Sequence, residues 1–263
     1  MNNRARIRSR NKIVVSIILV ACCAAGTSVF LHEAYVVPVA MYHSIDKQYD
    51  QTKLSVSPES FRKQMEFLKR HRYNVVGLET LIGYIKENRP LPPRTIAITL
   101  DDGFYNSYEH AYPVLKEYGF PATIFMITDK IGKPGWLGWK ELKEMSDSGL
   151  VTIGSHTVMH RWLPTLGSKD LARELKDSKR ILEEGLGRKV NTLCYPLGAH
   201  DDRVKRAAKE AGYLCAVCTN SGKNSSWKDP YAIKRIKISR TSDNPAIFWF
   251  ETSGYYTWVK EWK

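Results

Sequence analysis

The sequence predicts an α/β fold whose strands run parallel, either as an open sheet or as a closed barrel. Short apolar runs, typical of buried strands, alternate along the chain with amphipathic segments of helical period. No internal repeat and no domain-sized linker interrupts this alternation between residue 36 and the C-terminus. We therefore expect one folded domain over residues 36–263, preceded by an N-terminal membrane segment.

The predicted elements follow from these two patterns in order. Strands are expected at 36–41, 74–76, 95–100, 122–128, 151–154, 190–195, 213–219 and 233–239. The first helix begins with Ser57 as its N-cap and Pro58 at its first position, and then places Phe61, Met65 and Leu68 on one face. Further helices are expected at 79–87, 107–118, 139–146, 169–184, 202–211 and 245–262. Glycines at 119, 149, 185 and 212 mark the ends of four of them.

The composition is that of a folded chain. Hydrophobic residues make up 43% of the 263 positions and charged residues 25%, which excludes a disordered protein. Five cysteines in a chain of this length exclude a small disulfide-stapled scaffold. The net charge of +13 suits anionic partners, but charge alone does not choose between nucleic acid, lipid headgroups and acidic glycans.

The N-terminus predicts a membrane anchor. Residues 1–12 form a basic segment expected in the cytoplasm, and residues 13–31 follow without a single charge. A helix over that stretch would span roughly 28 Å, close to the thickness of a bilayer's hydrocarbon core. The charge asymmetry places the folded part outside the cytoplasm. Two alternatives remain, a cleaved secretory peptide and a lipoprotein tether at Cys22, after a sequence that resembles a lipobox.

Two neighbouring carboxylates stand at the end of a predicted strand. Asp101 and Asp102 directly follow the apolar run 95–100, where active sites of parallel α/β folds form. Two such charges are unfavourable unless something neutralises them, and a divalent metal does this well. One carboxylate would bind the metal, and the other would serve as a proton acceptor. Taken alone, the pair is better explained as a turn at residues 102–103, with Asp101 as a cap of the following helix.

Two histidines follow another predicted strand end. His156 and His160 come after the run 151–154 and lie four residues apart, which is one helical turn. Together with a carboxylate from the earlier strand end, they give one Asp and two His around an open position. That set is typical of a catalytic rather than a structural zinc site.

Three segments together resemble the polysaccharide deacetylases, the NodB-homology domain. They are Thr99-Leu100-Asp101-Asp102-Gly103, Ser155-His156-Thr157-Val158-Met159-His160 and Tyr195-Pro196-Leu197-Gly198. The resemblance covers residues 36–240 and implies a distorted (β/α) barrel, commonly with seven strands. It implies Asp101 as the general base, and Asp102, His156 and His160 as ligands of a divalent metal, with Zn²⁺ the expected ion. It also implies removal of N-acetyl or O-acetyl groups from a glycan.

The chain departs from the family pattern in its late motifs. Cys194 stands where the family often has an arginine that pairs with the catalytic Asp, and no histidine follows His200 to supply the usual general acid. Asp229, in Trp-Lys-Asp, has a doubtful match to the fourth motif. A subgroup that resembles the biofilm poly-N-acetylglucosamine deacetylases shares the early Tyr-His, which makes His43 the best replacement acid. His200 and His110 are weaker candidates.

The remaining features are expected to be structural. Cys215 and Cys218 are predicted to pack in the core, the aromatic residues at 248–258 to pack a terminal helix, and the basic run 223–237 to be solvated. The backbone N–H of Tyr195 is a candidate to stabilise an oxyanion.

The expected partners are an N-acetylated polysaccharide and a membrane, with no nucleic acid, and the oligomeric state stays open. The alternatives to a polysaccharide deacetylase are a catalytically silent glycan-binding relative and a small-molecule amidase on the same fold.

Overall fold

The computed structural model describes residues 16, 35–47, 54–87, 89–219 and 229–261. The chain divides into two compact units, 1–36 and 37–263, and the description below concerns the second. Within the described residues, no helix has both the length and the apolar character needed to cross a bilayer. Apart from Ser16, the predicted membrane segment 13–31 lies outside the described residues, as do the basic segment 1–12 and Cys22.

Nine parallel strands form the sheet. They are β1 Val39–Tyr42, β2 Asn74–Val76, β3 Thr95–Leu100, β4 Ala122–Met126, β5 Val151–Ser155, β6 Thr192–Cys194, β7 Cys215–Cys218, β8 Ile233–Lys234 and β9 Ile236–Lys237. The order across the sheet is β8-β7-β6-β5-β4-β3-β1-β9, and β2 pairs with β3. A parallel sheet is covered on both faces, so the side chains on both faces of its strands are mostly apolar. This accounts for the nearly continuous apolar runs in the sequence.

The sheet closes on itself at Arg235. β8 pairs with β7 and β9 pairs with β1, yet only Arg235 separates β8 from β9 along the chain. The two ends of the sheet therefore belong to one interrupted strand, and β2 pairs only with residues 95–97 of β3. The result is a distorted barrel with seven strand positions, in which β8 and β9 together fill one position and β2 lies outside the closed ring. The predicted strand 233–239 is the one that is interrupted.

Eight α-helices are described around the barrel. They are α1 Pro58–Arg70, α2 Leu78–Lys86, α3 Tyr112–Tyr118, α4 Trp139–Asp147, α5 Ser168–Leu186, α6 Asp202–Glu210, α7 Pro245–Thr252 and α8 Tyr256–Glu261. The predicted cap of α1 is confirmed, since Ser57 Oγ accepts the N–H of Ser60 at 3.1 Å. Phe61, Met65 and Leu68 are buried, as their spacing predicts.

Several predicted boundaries are wrong for local reasons. The predicted helix 107–118 begins as a π-helical turn over Ser107–Ala111, and the predicted helix 245–262 breaks between α7 and α8. Helix α5 runs through Gly185 and ends at Leu186, and its C-cap Gly187 adopts a left-handed φ of 67°. Gly185 is small for another reason, because a Cβ there would lie 2.1 Å from the ring of Trp139.

The terminal aromatic residues only partly pack as predicted. Phe248 is buried and contacts Phe67 edge to face, whereas Trp249 is 56% exposed. Cys215 and Cys218 are buried residues of β7, which agrees with the predicted core role.

Candidate active site

The carboxyl ends of the strands surround one cavity of about 450 Å³. Asp101 and Asp102 follow β3, His156 and His160 follow β5, and His43 follows β1. All five predicted site residues line the cavity, together with Met41, Leu54, Tyr195, Leu197, Thr219, Lys237 and Lys260. The parallel arrangement brings together residues that are distant in sequence, because every strand ends on the same face of the barrel.

A sharp turn separates the two adjacent carboxylates. Asp102 and Gly103 both have left-handed backbones, with φ of 68° and 72°. Glycine is required at the second position, since a Cβ there would lie 2.1 Å from Met126 Sδ. Asp101 is buried, whereas the Asp102 side chain is 19% exposed and faces the two histidines.

Asp102, His156 and His160 form a donor set that fits a divalent cation. Asp102 Oδ1 lies 3.5 Å from His156 Nε2 and 3.9 Å from His160 Nε2. One donor atom from each of the three residues lies within 4.8 Å of the others. His156 Nδ1 lies 2.8 Å from the carbonyl oxygen of Cys194, so Nδ1 carries the proton and the Nε2 lone pair faces Asp102.

The electrostatics of these three groups also suit a cation. Burial raises the pKa of Asp102 to about 6, because its charge is poorly compensated within the protein. Burial lowers the pKa of His156 to about 3 and also lowers the pKa of His160, so both imidazoles are neutral. A desolvated carboxylate beside two neutral imidazoles is the donor combination that zinc prefers.

The two histidines lie on a loop and not, as their spacing suggested, on one turn of a helix. Residues 156–160 form a loop in which Thr157 and His160 have left-handed φ values of 65° and 57°. The loop nevertheless places the rings edge to face, with centroids 4.6 Å apart. The four-residue spacing correctly predicted that the two imidazole rings lie close together, but a reversal of the backbone, not a helical turn, brings them together.

Arg235 is the functional residue that the sequence analysis missed. Its side chain is fully buried and donates to both oxygens of Asp101, from Nη1 and Nη2, each at 2.6 Å. It also donates to Thr99 Oγ1 at 2.9 Å and to Cys194 Sγ at 3.0 Å. The prediction of solvated charge for the run 223–237 is therefore wrong at this residue.

Arg235 supplies the cation that is absent from the third motif. The cation comes from the β8–β9 junction, and the smaller Cys194 thiol lies beside the ion pair, where it contacts both Arg235 and Asp101. Arg235 lies within the predicted strand 233–239, where a buried charge would require a partner, but Lys234 and Lys237 share the segment and make it resemble a solvated basic run.

The Arg235 pair controls the protonation of Asp101. Burial alone would raise the pKa of this carboxyl, but the charge and hydrogen bonds of Arg235 outweigh burial and hold the pKa well below its usual range. Asp101 is therefore an ionised carboxylate at neutral pH, as a proton acceptor must be.

His43 lies beside Asp101. Its Nε2 is 3.8 Å from Asp101 Oδ2, its side chain is 14% exposed, and its Nδ1 is buried without a hydrogen-bond partner among the described residues. The other two candidate acids lie elsewhere. His200 stacks on Tyr195 outside the cavity, and His110 lies in the π-helical turn beside Glu109.

Two further expectations are corrected by backbone and side-chain contacts. The N–H of Tyr195 donates to the carbonyl of Val217 at 3.1 Å, so it is not available to an oxyanion. Asp229 pairs with Lys205 at 2.9 Å rather than with the site, and the preceding Trp227 and Lys228 lie outside the described residues.

The fold and the site together define an α/β barrel that holds an ionised carboxylate beside a donor set that fits a divalent cation. The polysaccharide deacetylase family model matches residues 88–216. YxkH of Bacillus subtilis, which bears a provisional polysaccharide deacetylase name, is 32% identical over 202 residues, 77% of this chain and 71% of YxkH. The poly-β-1,6-N-acetyl-D-glucosamine N-deacetylase of Staphylococcus epidermidis is 32% identical over 222 residues, 79% of this chain and 72% of that enzyme.

A solved structure shows the same architecture. The deacetylase PplD of Streptococcus pyogenes, in complex with acetate, matches with a TM-score of 0.75 at 28% identity, over 81% of this chain and 98% of PplD. The chain is 32% identical to both relatives and covers more than two thirds of each, so it belongs to the polysaccharide deacetylase family.

Proposed function

We propose that the chain is a zinc-dependent hydrolase that removes N-acetyl groups from an extracytoplasmic polysaccharide of the poly-N-acetylglucosamine type. The observation that carries this proposal is that two functional groups, an ion pair and a set of metal donors, lie side by side in one cavity. An ionised Asp101 held by Arg235 stands next to the donor set of Asp102, His156 and His160. Asp101 accepts a proton, and the donor set suits a cation that polarises an acyl oxygen.

The proposed reaction divides the work between the chain's own residues. Asp101 accepts a proton from the attacking water as the water oxygen bonds to the acetyl carbon. Arg235 keeps the Asp101 carboxylate oriented and ionised while it accepts that proton. A zinc ion held by Asp102, His156 and His160 would supply Lewis-acid polarisation of the acetyl carbonyl. The bond between carbon and nitrogen then breaks, which yields acetate and an amine.

His43 is the proposed general acid. The departing nitrogen needs a proton before it can leave as a neutral amine, and His43 lies at the cavity within 3.8 Å of Asp101. The same position beside Asp101 lets the two residues exchange the proton that the water releases.

A polymeric sugar fits the residues around the cavity mouth. Three large apolar side chains on the strand-end loops are exposed, Met159 by 60%, Trp162 by 49% and Leu197 by 61%. Such side chains can pack against the apolar faces of sugar rings. The relatives support the same substrate class, since one is named for poly-β-1,6-N-acetyl-D-glucosamine. The family resemblance implies either N-acetyl or O-acetyl groups as the target, so O-acetyl groups are the alternative to the N-acetyl groups proposed here.

Acetate release tests this proposal. The metal-stripped protein would be assayed with and without added zinc on acetylated poly-β-1,6-glucosamine, chitin oligomers and peptidoglycan, with an O-acetylated glycan in parallel. We expect zinc-dependent release from an N-acetylated glycan, and no release by the His156→Ala variant. Equal activity without metal, or glycan binding with no acetate from any substrate, would contradict the proposal.

The proposed location is the outer face of the membrane, with residues 13–31 as the anchor. The support is the basic segment followed by 19 uncharged residues. Protease added to intact spheroplasts should digest the domain 36–263 while a cytoplasmic marker survives. Complete protection of the domain would contradict this location.

A further inference from the structure

A buried carboxylate on α5 contacts the loop that carries both histidines. Glu174 is 4% exposed, and its Oε2 accepts the backbone N–H groups of Val158 and Met159, each at 2.9 Å. Val158 and Met159 lie between His156 and His160 in the sequence. No Lys, Arg or His nitrogen of the described chain lies within ion-pair distance of Glu174. Its charge is therefore satisfied by the loop backbone itself.

Side-chain oxygens accept the N–H groups of this loop, while the carbonyls of Thr157 and Val158 accept the backbone N–H groups of Thr128 and Asp129. The N–H of Thr157 donates to Ser155 Oγ and the N–H of His160 donates to Thr157 Oγ1, both at 3.1 Å. Together with the two hydrogen bonds to Glu174, this means that the four consecutive N–H groups of residues 157–160 all donate to side-chain oxygens. The His156 N–H, by contrast, extends the strand ladder to Met126.

The loop needs such support because its backbone is strained. Thr157 is β-branched yet has a φ of 65°, and His160 has a φ of 57°. Residues held in the left-handed region persist only where the surroundings determine them. The two bonds to Glu174 lie between these two strained positions, so they restrain the reversal that turns the His160 ring towards His156.

We propose that Glu174 is a positioning residue that fixes His160 against His156 and Asp102 and thereby sets the metal affinity of the site. This inference rests on the proposed function, because it assumes that these three residues bind zinc. Without Glu174, the N–H groups of Val158 and Met159 lose their acceptor, and the loop relaxes towards conformations in which His160 no longer faces the other ligands.

Zinc affinity measured by chelator competition tests this role. We expect Glu174→Ala to weaken zinc binding about 10–100-fold, the range typical of residues that orient metal ligands. Glu174→Gln keeps a neutral acceptor oxygen and should weaken binding less than Glu174→Ala does, since a neutral acceptor forms weaker hydrogen bonds. The visible spectrum of the cobalt-substituted protein should change in Glu174→Ala, because the His160 ligand is displaced.

Two controls separate positioning from general destabilisation. Leu175→Ala removes a fully buried side chain from the same helix and should lower the Tm with unchanged zinc affinity. Glu184→Ala removes an exposed carboxylate of α5 that pairs with Arg180 and should change neither.

The outcomes also distinguish this inference from the proposed function. Wild-type affinity in folded Glu174→Ala, or a loss no larger than in Leu175→Ala, would overturn the role of Glu174 alone. If Glu174→Ala does not fold, wild-type affinity and an unchanged cobalt spectrum in Glu174→Gln would overturn it. Absence of zinc binding by the wild-type protein would overturn the proposed function and this inference with it.

Discussion

Arg235 and Asp101 form a fully buried, bidentate ion pair between residues 134 positions apart, with both N–O distances at 2.6 Å. The pair joins the end of β3 to the β8–β9 junction, which is the point where the barrel closes. One contact therefore serves both the fold and the site. It closes the sheet around the cavity, and it keeps the proposed base ionised.

Replacement of Arg235 should impair both stability and activity. Arg235→Gln leaves a buried carboxylate without its cation, which is expected to lower the free energy of unfolding by about 3–5 kcal/mol. Arg235→Lys keeps the charge but loses the two-pronged geometry, and we expect kcat to fall about 10–100-fold. Urea unfolding and acetate release measure the two effects, with exposed Arg206→Gln as the control. Wild-type values in both assays would contradict a role for this pair.

The pair also predicts how stability changes with pH. The folded-state pKa of Asp101 lies below its unfolded value of about 3.9, so its ionisation stabilises the protein at neutral pH. That contribution should be lost as the pH falls below about 4, and in Arg235→Gln this loss should be much smaller. Urea unfolding at pH 7 and at pH 3 compares the two proteins. Parallel losses in both would show that Arg235 does not hold the pKa of Asp101 down.

The His43→Ala variant should discriminate between substrates by their leaving groups. Hydrolysis of an N-acetyl amide should fall by about 10²–10⁴ in kcat, because the amine leaves poorly without a proton. An activated aryl acetate needs no such proton and should be hydrolysed at nearly the original rate. Equal losses on both substrates would assign His43 to positioning of water or substrate, and no loss on either would exclude it from the reaction.

Acid should weaken zinc binding through Asp102 before it affects His156. Burial raises the pKa of Asp102 to about 6 and lowers the pKa of His156 to about 3. Protons compete with the metal for Asp102 below its pKa, so the apparent zinc Kd should rise about tenfold for each pH unit below 6. Competition titrations from pH 7 to pH 5 measure this slope, and Asp102→Asn should abolish it. A Kd that stays constant over this range would contradict the assignment.

The sequence was sufficient to predict the residues that lie at strand ends, since the topology of a parallel barrel brings such ends together. Asp101, Asp102, His156, His160 and His43 all line one cavity for this reason. The alternation of strands and helices predicts the parallel sheet, whereas only the resemblance to the polysaccharide deacetylases implies its closure into a barrel with seven strands. Apart from that closure, these features depend on local patterns and on one general rule about parallel folds.

The parts that could not be predicted depend on contacts between distant segments. Whether Arg235 is solvated or buried is decided by the closure of β9 onto β1, which no local pattern around residue 235 reveals. The loop from His156 to His160 has helical spacing in the sequence, but its backbone is set by Ser155 and Glu174. Glu174 looks like one more charged position on the amphipathic helix α5 until the loop packs against it.

The division of labour between the adjacent carboxylates is the central claim, and the zinc affinity of Asp101→Asn and Asp102→Asn, measured with acetate release, tests it most directly. Asp101→Asn should bind zinc about as well as the wild-type protein yet lose roughly 10²–10⁴ in kcat, because only the proton acceptor is removed. Asp102→Asn should bind zinc weakly and lose activity in proportion, with partial recovery at high zinc concentration. Equal loss of zinc from both variants, or full activity in Asp101→Asn, would contradict the account.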